Sequence, residues 1–243
     1  MNRRQGLVAL AAMVARAAAL ALAGAAGAAA AQTPAAAAAP QPDIRQIGPE
    51  RYQVGRIVVD RRARTFSVPG RVLVVDQPLE YIATSPRGMK DYETLFELET
   101  SGTEFNLACI LIGLEPDPKP VDWREFRSAK RLIGPKVTVD VAWTAADGKR
   151  RTASAAEALL NPEAGVRPET VEWVYIGSPA SAAAGQFAAE TTGTLIGFSH
   201  DSNSIIEAAV AIGLGAYGTV RGNALLPPIG TPIELTVKAV EAR

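Results

Sequence analysis

Alanine fills 20 of the first 39 positions, and Pro40 and Pro42 follow directly, so nothing before about residue 44 supplies the large side chains from which a core is built. The 48% apolar content of the 243-residue chain is inflated at its start, and a fold has to be assembled from the residues beyond it. About 200 residues are enough for one substantial domain or two small ones.

The leader has an internal order. Asn2-Arg3-Arg4 opens it with positive charge, an Ala/Leu run follows, and Ala29-Ala30-Ala31 before Gln32 has the small-residue pattern of a cleavage site. Residues 1–31 are expected to be a secretory signal peptide and residues 32–43 a Pro/Ala-rich disordered linker, ahead of a single domain over 44–243. Arg16 interrupts the apolar run, and a start at Met13 would turn it into part of a short basic lead-in, so Met1 and Met13 are both candidate starts. Gln5-Gly6-Leu7 after Arg3-Arg4 matches a twin-arginine signal poorly. The uncharged stretch is too weakly hydrophobic for a retained anchor, so the expected location is periplasmic or secreted, with no stable membrane insertion after cleavage. The full chain balances 25 basic against 25 acidic residues, and loss of Arg3, Arg4 and Arg16 leaves 22 against 25. That mildly acidic balance gives no basis for nucleic-acid binding.

One Cys and one His narrow the chemistry further. A lone cysteine excludes internal disulfides, CxxC redox pairs and iron–sulfur ligation, and a lone histidine excludes HExxH and tris-histidine zinc sites. No cofactor is expected.

Short Val-, Ile-, Phe- and Tyr-rich runs separated by polar or Pro/Gly breaks predict strands over 56–59, 65–68, 71–75, 79–84, 94–99, 136–143, 171–176, 193–198 and 233–240. Residues 57–66 and the Asp147-Gly148 turn read as hairpins. Ser101-Gly102-Thr103-Glu104 is a capping box that starts a helix running to Gly113, with Cys109 in its apolar stripe as a small buried hydrophobe. Ser154-Ala155-Ala156-Glu157 predicts a second, short helix, and Glu115 to Pro120 marks an internal break. The fold class is α+β, mostly antiparallel β-sheet with two or three short helices.

Two motifs look like chemistry and fail on mechanism. Gly213 to Gly218 fits GxGxxG, but no helix can follow it before Pro227-Pro228 to receive a pyrophosphate, so it reads as a cap and loop. Gly197-Phe198-Ser199-His200-Asp201 resembles a nucleophile elbow, yet the sole histidine adjoins the serine, whereas a triad needs imidazole delivered from elsewhere. The plainer reading is that Asp201, Ser202 or Ser204 caps a following helix and His200 ends a strand. The sharper one is a ligand or metal site in which His200 and Asp201 act with distant carboxylates such as Glu80 or Glu93.

An ordered set of segments resembles the YdjY domain of bacterial exported proteins: Ile57 to Asp60, Pro69-Gly70, Pro78 to Tyr81, Tyr92 to Leu95, Ile110 to Pro116, Trp173 to Ser178, Gly193 to Ile196 with His200-Asp201, and Pro227 to Pro232. The resemblance spans about residues 55 to 240 and implies no established activity. Some members carry a ferredoxin-like label, which the lone Cys109 opposes. Members tend to have His where this chain has Tyr92, so a shared metal site loses an imidazole here.

The resulting expectation is an exported, non-enzymatic binding or interaction module for an unknown protein or small-molecule partner, with Glu80, Tyr81, Glu93, His200 and Asp201 as candidate ligand-binding residues. The alternative is a metal-dependent or carboxylate-based hydrolase using Glu80, Glu93, His200 and Asp201, since paired carboxylates perform acid/base work without histidine.

Overall fold

The strands, in a computed structural model that describes residues 42–117, 121–122, 124–161, 167–179, 187–213 and 219–241, follow the alternation of the sequence. In chain order they are β1 (Ile44–Gly48), β2 (Arg51–Val54), β3 (Ile57–Asp60), β4 (Thr65–Val72), β5 (Tyr81–Thr84), β6 (Thr94–Leu98), β7 (Lys136–Thr144), β8 (Arg150–Ser154), β9 (Leu159–Leu160), β10 (Trp173–Tyr175), β11 (Thr194–Gly197), β12 (Ile206–Ala208), β13 (Arg221–Gly222) and β14 (Pro232–Ala239). Two α-helices accompany them, α1 (Gly102–Leu111) and α2 (Ala188–Thr192). The expected signal peptide, most of the linker and Leu214 to Gly218 of the glycine motif lie outside the described residues.

In β3, β4 and β14 every second side chain is buried and its neighbours reach solvent, which gives a sheet one wet and one dry face. The dry face is closed on itself. Hydrogen-bonded neighbours run β4–β14–β7–β10–β12–β11–β5–β6, and β6 returns to β4, so eight strands form a barrel. The strands β1 to β3 extend from β4 as a meander, β8 flanks β7, and β9 pairs with β13 apart from the rest. The strand-rich α+β composition expected from sequence is present, but the sheet closes instead of staying open, and β5–β6 and β11–β12 pair in parallel. Alternation reports which face of a strand is buried; it carries no information on whether two distant edges meet.

Closure depends on β4, which changes partner along its length. Its first residues pair with β3 at Thr65 to Ser67, and its last pair with β6 at Gly70 to Val72. Pro69, with no N–H to donate, stands at the change-over, where a strand tolerates it. A β-carbon on Gly70 would lie 2.4 Å from the carbonyl oxygen of Glu97 and 2.8 Å from the Leu98 side chain, so only glycine lets β4 come this close to β6.

Helix α1 packs against β2, β3, β11 and α2. Ser101 Oγ accepts from the Glu104 N–H at 3.2 Å while Glu104 takes the Ser101 N–H at 3.1 Å, the capping box read from sequence. Phe105 meets Phe66 edge to face at 5.1 Å. Cys109 is fully buried and burial pushes its thiol well above the usual range, in keeping with a core residue. Arg64 donates to the carbonyls of Ile112 and Gly113 and so satisfies the helix C-terminus from the β3–β4 hairpin.

Two expected helices are absent. Ser154 and Glu157 do exchange capping hydrogen bonds, but they close a single turn and the chain passes at once into β9. The stretch after Ser204 forms β12, because Ile206 to Ala208 lie between two paired strands and are buried on both faces, a condition under which a strand loses its alternation and looks like a helix segment.

Gly70→Ala is expected to lower stability by about 1–3 kcal/mol through overpacking at the closure, read as a shifted urea midpoint. At Gly48 an added β-carbon meets only ordinary contacts with the Arg51 side chain, so Gly48→Ala serves as the control and should change little. Equal losses in the two variants would show that the β4–β6 seam is not the constraint.

Candidate functional site

The loop between β11 and β12 has a difficult geometry. These strands are parallel neighbours, so residues 198–205 must carry the chain from the end of one strand back to the start of the next, a journey that elsewhere takes a dozen or more residues. The reversal uses His200 in the left-handed region, at φ 64°, a conformation in which His, Asn and Asp are over-represented among non-glycine residues. Asp201 then accepts from the Asn203 backbone N–H at 3.0 Å, a local Asx turn in place of the expected helix cap.

Glu207 holds this loop. It is completely buried on β12, and its two carboxylate oxygens accept the backbone N–H groups of His200 and Asp201, each at 3.1 Å. Room for the carboxylate exists because its register partner on β11 is Gly197: a β-carbon there would stand 2.0 Å from Glu207 Oε1. Burial pushes the Glu207 carboxyl well above its usual range, with the charge of Asp201 adding to the rise, against the pull of the Ser204 hydroxyl and the two backbone N–H donors. No cation pairs with it in the described residues.

At this rim of the barrel lies an open cleft of about 350 Å³. The start of β5 contributes Glu80 and Tyr81, the β5–β6 connection Lys90, the short 3-10 turn at Phe126–Ser128 contributes Phe126 and Arg127, and the β11–β12 loop Ser199 to Asn203. Of the five residues singled out from sequence, Glu80, Tyr81, His200 and Asp201 line this cleft together. Glu93 does not: its carboxylate grips Lys90 Nζ at 2.6 Å from behind. Lys90, Arg127 and Glu207 were not singled out, and Ser199 entered only as the serine of a disfavoured nucleophile elbow. Only Glu207 left a trace, as the one charge in the apolar run from Ile205 to Val210.

The polar groups divide into held and loosely held. Asp201 accepts from Tyr81 Oη at 2.8 Å and from both the backbone and side-chain nitrogens of Asn203, at 3.0 and 2.8 Å. Burial, then the charge of Asp201, drives the Tyr81 phenol far above its ordinary range, so it remains a donor. The Lys90 ammonium is likewise raised, by its bond to Glu93 first, which makes it a fixed positive charge and no nucleophile. Glu80 is different: Arg127 Nη2 and Ser199 Oγ each reach it at 3.4 Å, the outer limit of a hydrogen bond. His200 is buried, passes an Nε2–H to the Ala208 carbonyl at 3.0 Å, stacks edge-on to Phe126 at 6.2 Å, and among the described residues has no hydrogen-bond partner on Nδ1. Burial lowers its basicity. Among the described residues no three of His, Cys, Asp and Glu are placed to hold a metal ion.

Because the folded carboxyl of Glu207 titrates above its ordinary value of 4.5, the folded state binds more protons than the unfolded one between that value and the raised one. The stability of wild type relative to Glu207→Gln is therefore expected to be greatest below about pH 4.5 and to fall as pH rises toward the raised value, by up to about 1.4 kcal/mol per pH unit. Paired urea titrations across pH measure it, and a pH-independent difference would refute the assignment. Gly197→Ala should be the most damaging single-carbon addition in the loop, with a loss of about 3 kcal/mol or more, because the displaced carboxylate would leave the buried His200 N–H and the half-buried Asp201 N–H unpaired. A loss below about 1 kcal/mol in the same urea assay would mean that Glu207 relocates freely.

The family model of the YdjY domain matches residues 57–238, most of the chain and every element that lines the cleft. Neither the curated proteins nor the solved structures give a match. By the extent of that match, the chain belongs to the YdjY domain family.

Proposed function

We propose that this protein is an exported, non-catalytic binding module that takes a small polar ligand in the cleft between the start of β5, Lys90, Arg127 and the β11–β12 loop. The observation that carries the reading is the state of Asp201. Its carboxylate already accepts three short hydrogen bonds from Tyr81 and Asn203, so it shapes the cleft wall instead of standing ready to exchange protons. Acid/base hydrolysis by a carboxylate pair asks for two available acids, and Glu80 is the only carboxylate of the lining with loosely held oxygens.

Export follows from the basic, apolar and small-residue order of residues 1–31, and fits the near absence of cysteine and histidine, which leaves a domain indifferent to redox state. No helix among the described residues is long and apolar enough to cross a membrane. The cleft volume lies at the small end of ligand pockets, roughly 300–1,000 Å³, which favours a small molecule over a peptide or nucleic acid.

The test is a pair of measurements on the full chain. Small polar probes are expected to shift the amide resonances of Tyr81, Ser199 and Asp201 in two-dimensional spectra, while chromogenic ester, amide and glycoside substrates stay intact. Turnover of any of these substrates that is lost in Glu80→Gln would replace the binding reading with the hydrolase.

A further inference from the structure

We infer that His200 is a pH-sensitive clasp on this cleft: its neutral ring holds the β11–β12 loop against the Phe126–Ser128 turn, and a proton added at Nδ1 lets the two walls part. The inference rests on the reading of the cleft as a binding site and adds how the shape of that site is regulated.

The ring is gripped on two sides. Nε2–H donates to the Ala208 carbonyl on β12 at 3.0 Å, and the Phe126 ring stands edge-on at 6.2 Å, with His200 and Phe126 each 2% exposed. Phe126 belongs to one wall of the cleft and Ser199 to Asn203 to another, so the ring is a contact that joins them. Among the described residues Nδ1 has no hydrogen-bond partner. One nitrogen is committed, and the other is where the next proton goes.

A proton there makes a cation with almost no water around it. Burial opposes that form and outweighs the carbonyls of Ala208, Ala129, Ala209 and Phe126, which favour it. Glu207 on β12 spends its oxygens on the His200 and Asp201 N–H groups, Asp201 is held by Tyr81 and Asn203, and Tyr81 keeps its proton. Glu80 at the start of β5 attracts a cation, while Arg127 on the turn and Lys90 on the β5–β6 connection repel one. Beyond the turn, Lys130 is exposed and Arg131 is paired with Glu172. Among the described residues no acid is hydrogen-bonded to the ring. A charged imidazole therefore gains most by turning out of its slot toward water, and that movement gives up the contact with Phe126. The unfolded chain, whose imidazole titrates near 6.5, binds this proton more readily than the folded one, so stability held above 6.5 is lost as pH falls below it. The sense is opposite to that of Glu207.

The chain has one histidine, so the ring Cε1–H of the full protein reports it alone. Titration by NMR from about pH 8 to about pH 5 is expected to give a ring midpoint below 6.5, with the amides of Phe126, Arg127 and Ser199 moving at that same midpoint. His200→Asn, which tolerates the left-handed backbone and keeps the N–H that serves Glu207, should abolish the amide titration, whereas Glu207→Gln should leave it. Relative to His200→Asn, wild type should lose up to about tenfold in its folding equilibrium per pH unit below 6.5, read in paired urea titrations. A ring midpoint at or above 6.5, or turn amides that ignore the ring or still titrate in His200→Asn, would overturn the clasp while the cleft stands. L-alanine, glucose and choline, which keep their charge over this range, test the cleft separately. A probe that moves the cleft amides should bind more weakly at the acid end in wild type but not in His200→Asn, and equal affinity at both ends in wild type would overturn the regulation alone. If no probe moves those amides, the binding reading and its regulation both fall, whatever the ring does.

Discussion

A carboxylate with no cation beside it, sealed in the wall of a barrel, is the interaction on which the rest of the site depends. Glu207 has lost all contact with water, and desolvation of an isolated carboxylate is among the largest penalties a fold can incur. Two backbone N–H groups offset it, and those N–H groups belong to His200 and Asp201, residues that would otherwise sit in a reversing loop with nothing to hold them. The dependence is mutual. The loop needs an acceptor at its turn, and the carboxylate needs donors that a regular strand would have spent on its neighbours. Gly197 makes the exchange possible by leaving empty the volume the carboxylate occupies.

The position of that exchange follows from topology. In the barrel order β12–β11–β5–β6 the two outer pairs are parallel and the central pair is antiparallel. Gly197 at the end of β11 is in register with Tyr81 at the start of β5, and Tyr81 with Thr94 at the start of β6. The ends of these strands therefore collect at one rim, and the connections that parallel pairing imposes deliver Lys90 from one side and Ser199 to Asn203 from the other. A purely antiparallel meander would have joined the same strands with tight turns and left the rim bare. The closure of β4 onto β6 at Gly70 holds β6, and with it this rim, in the ring.

What the sequence disclosed follows the range of each interaction. The capping box at Ser101 and Glu104, the hairpins and the alternating strands are set by neighbours within a few positions, and each was legible. The capping pair at Ser154 and Glu157 was read correctly as chemistry and wrongly as length, because two hydrogen bonds specify a turn and only packing extends it. Barrel closure was invisible, since it rests on a contact between Gly70 and the backbone of Glu97 that no periodicity encodes. Of the residues singled out, Glu80, Tyr81, His200 and Asp201 meet at the cleft, whereas Glu93 lies one step away, behind Lys90 instead of beside the cleft. Lys90 and Arg127 carry no local signal. Glu207 did carry one, a single acid in an apolar run, but that run looked helical, and on a helix such an acid points to solvent.

The sole histidine shows how a residue type that suggests chemistry is absorbed by architecture. Its backbone takes a left-handed turn that most side chains resist, its N–H serves Glu207, and its Nε2–H serves the Ala208 carbonyl on the next strand. Phe126, from the turn that also carries Arg127, packs against its ring. Burial lowers its basicity, and its Nε2–H is committed to the backbone. His200 thus ties the β11–β12 loop to the turn that bears Arg127 and so holds two walls of the cleft at a fixed separation. Asp201 has the same standing among the acids.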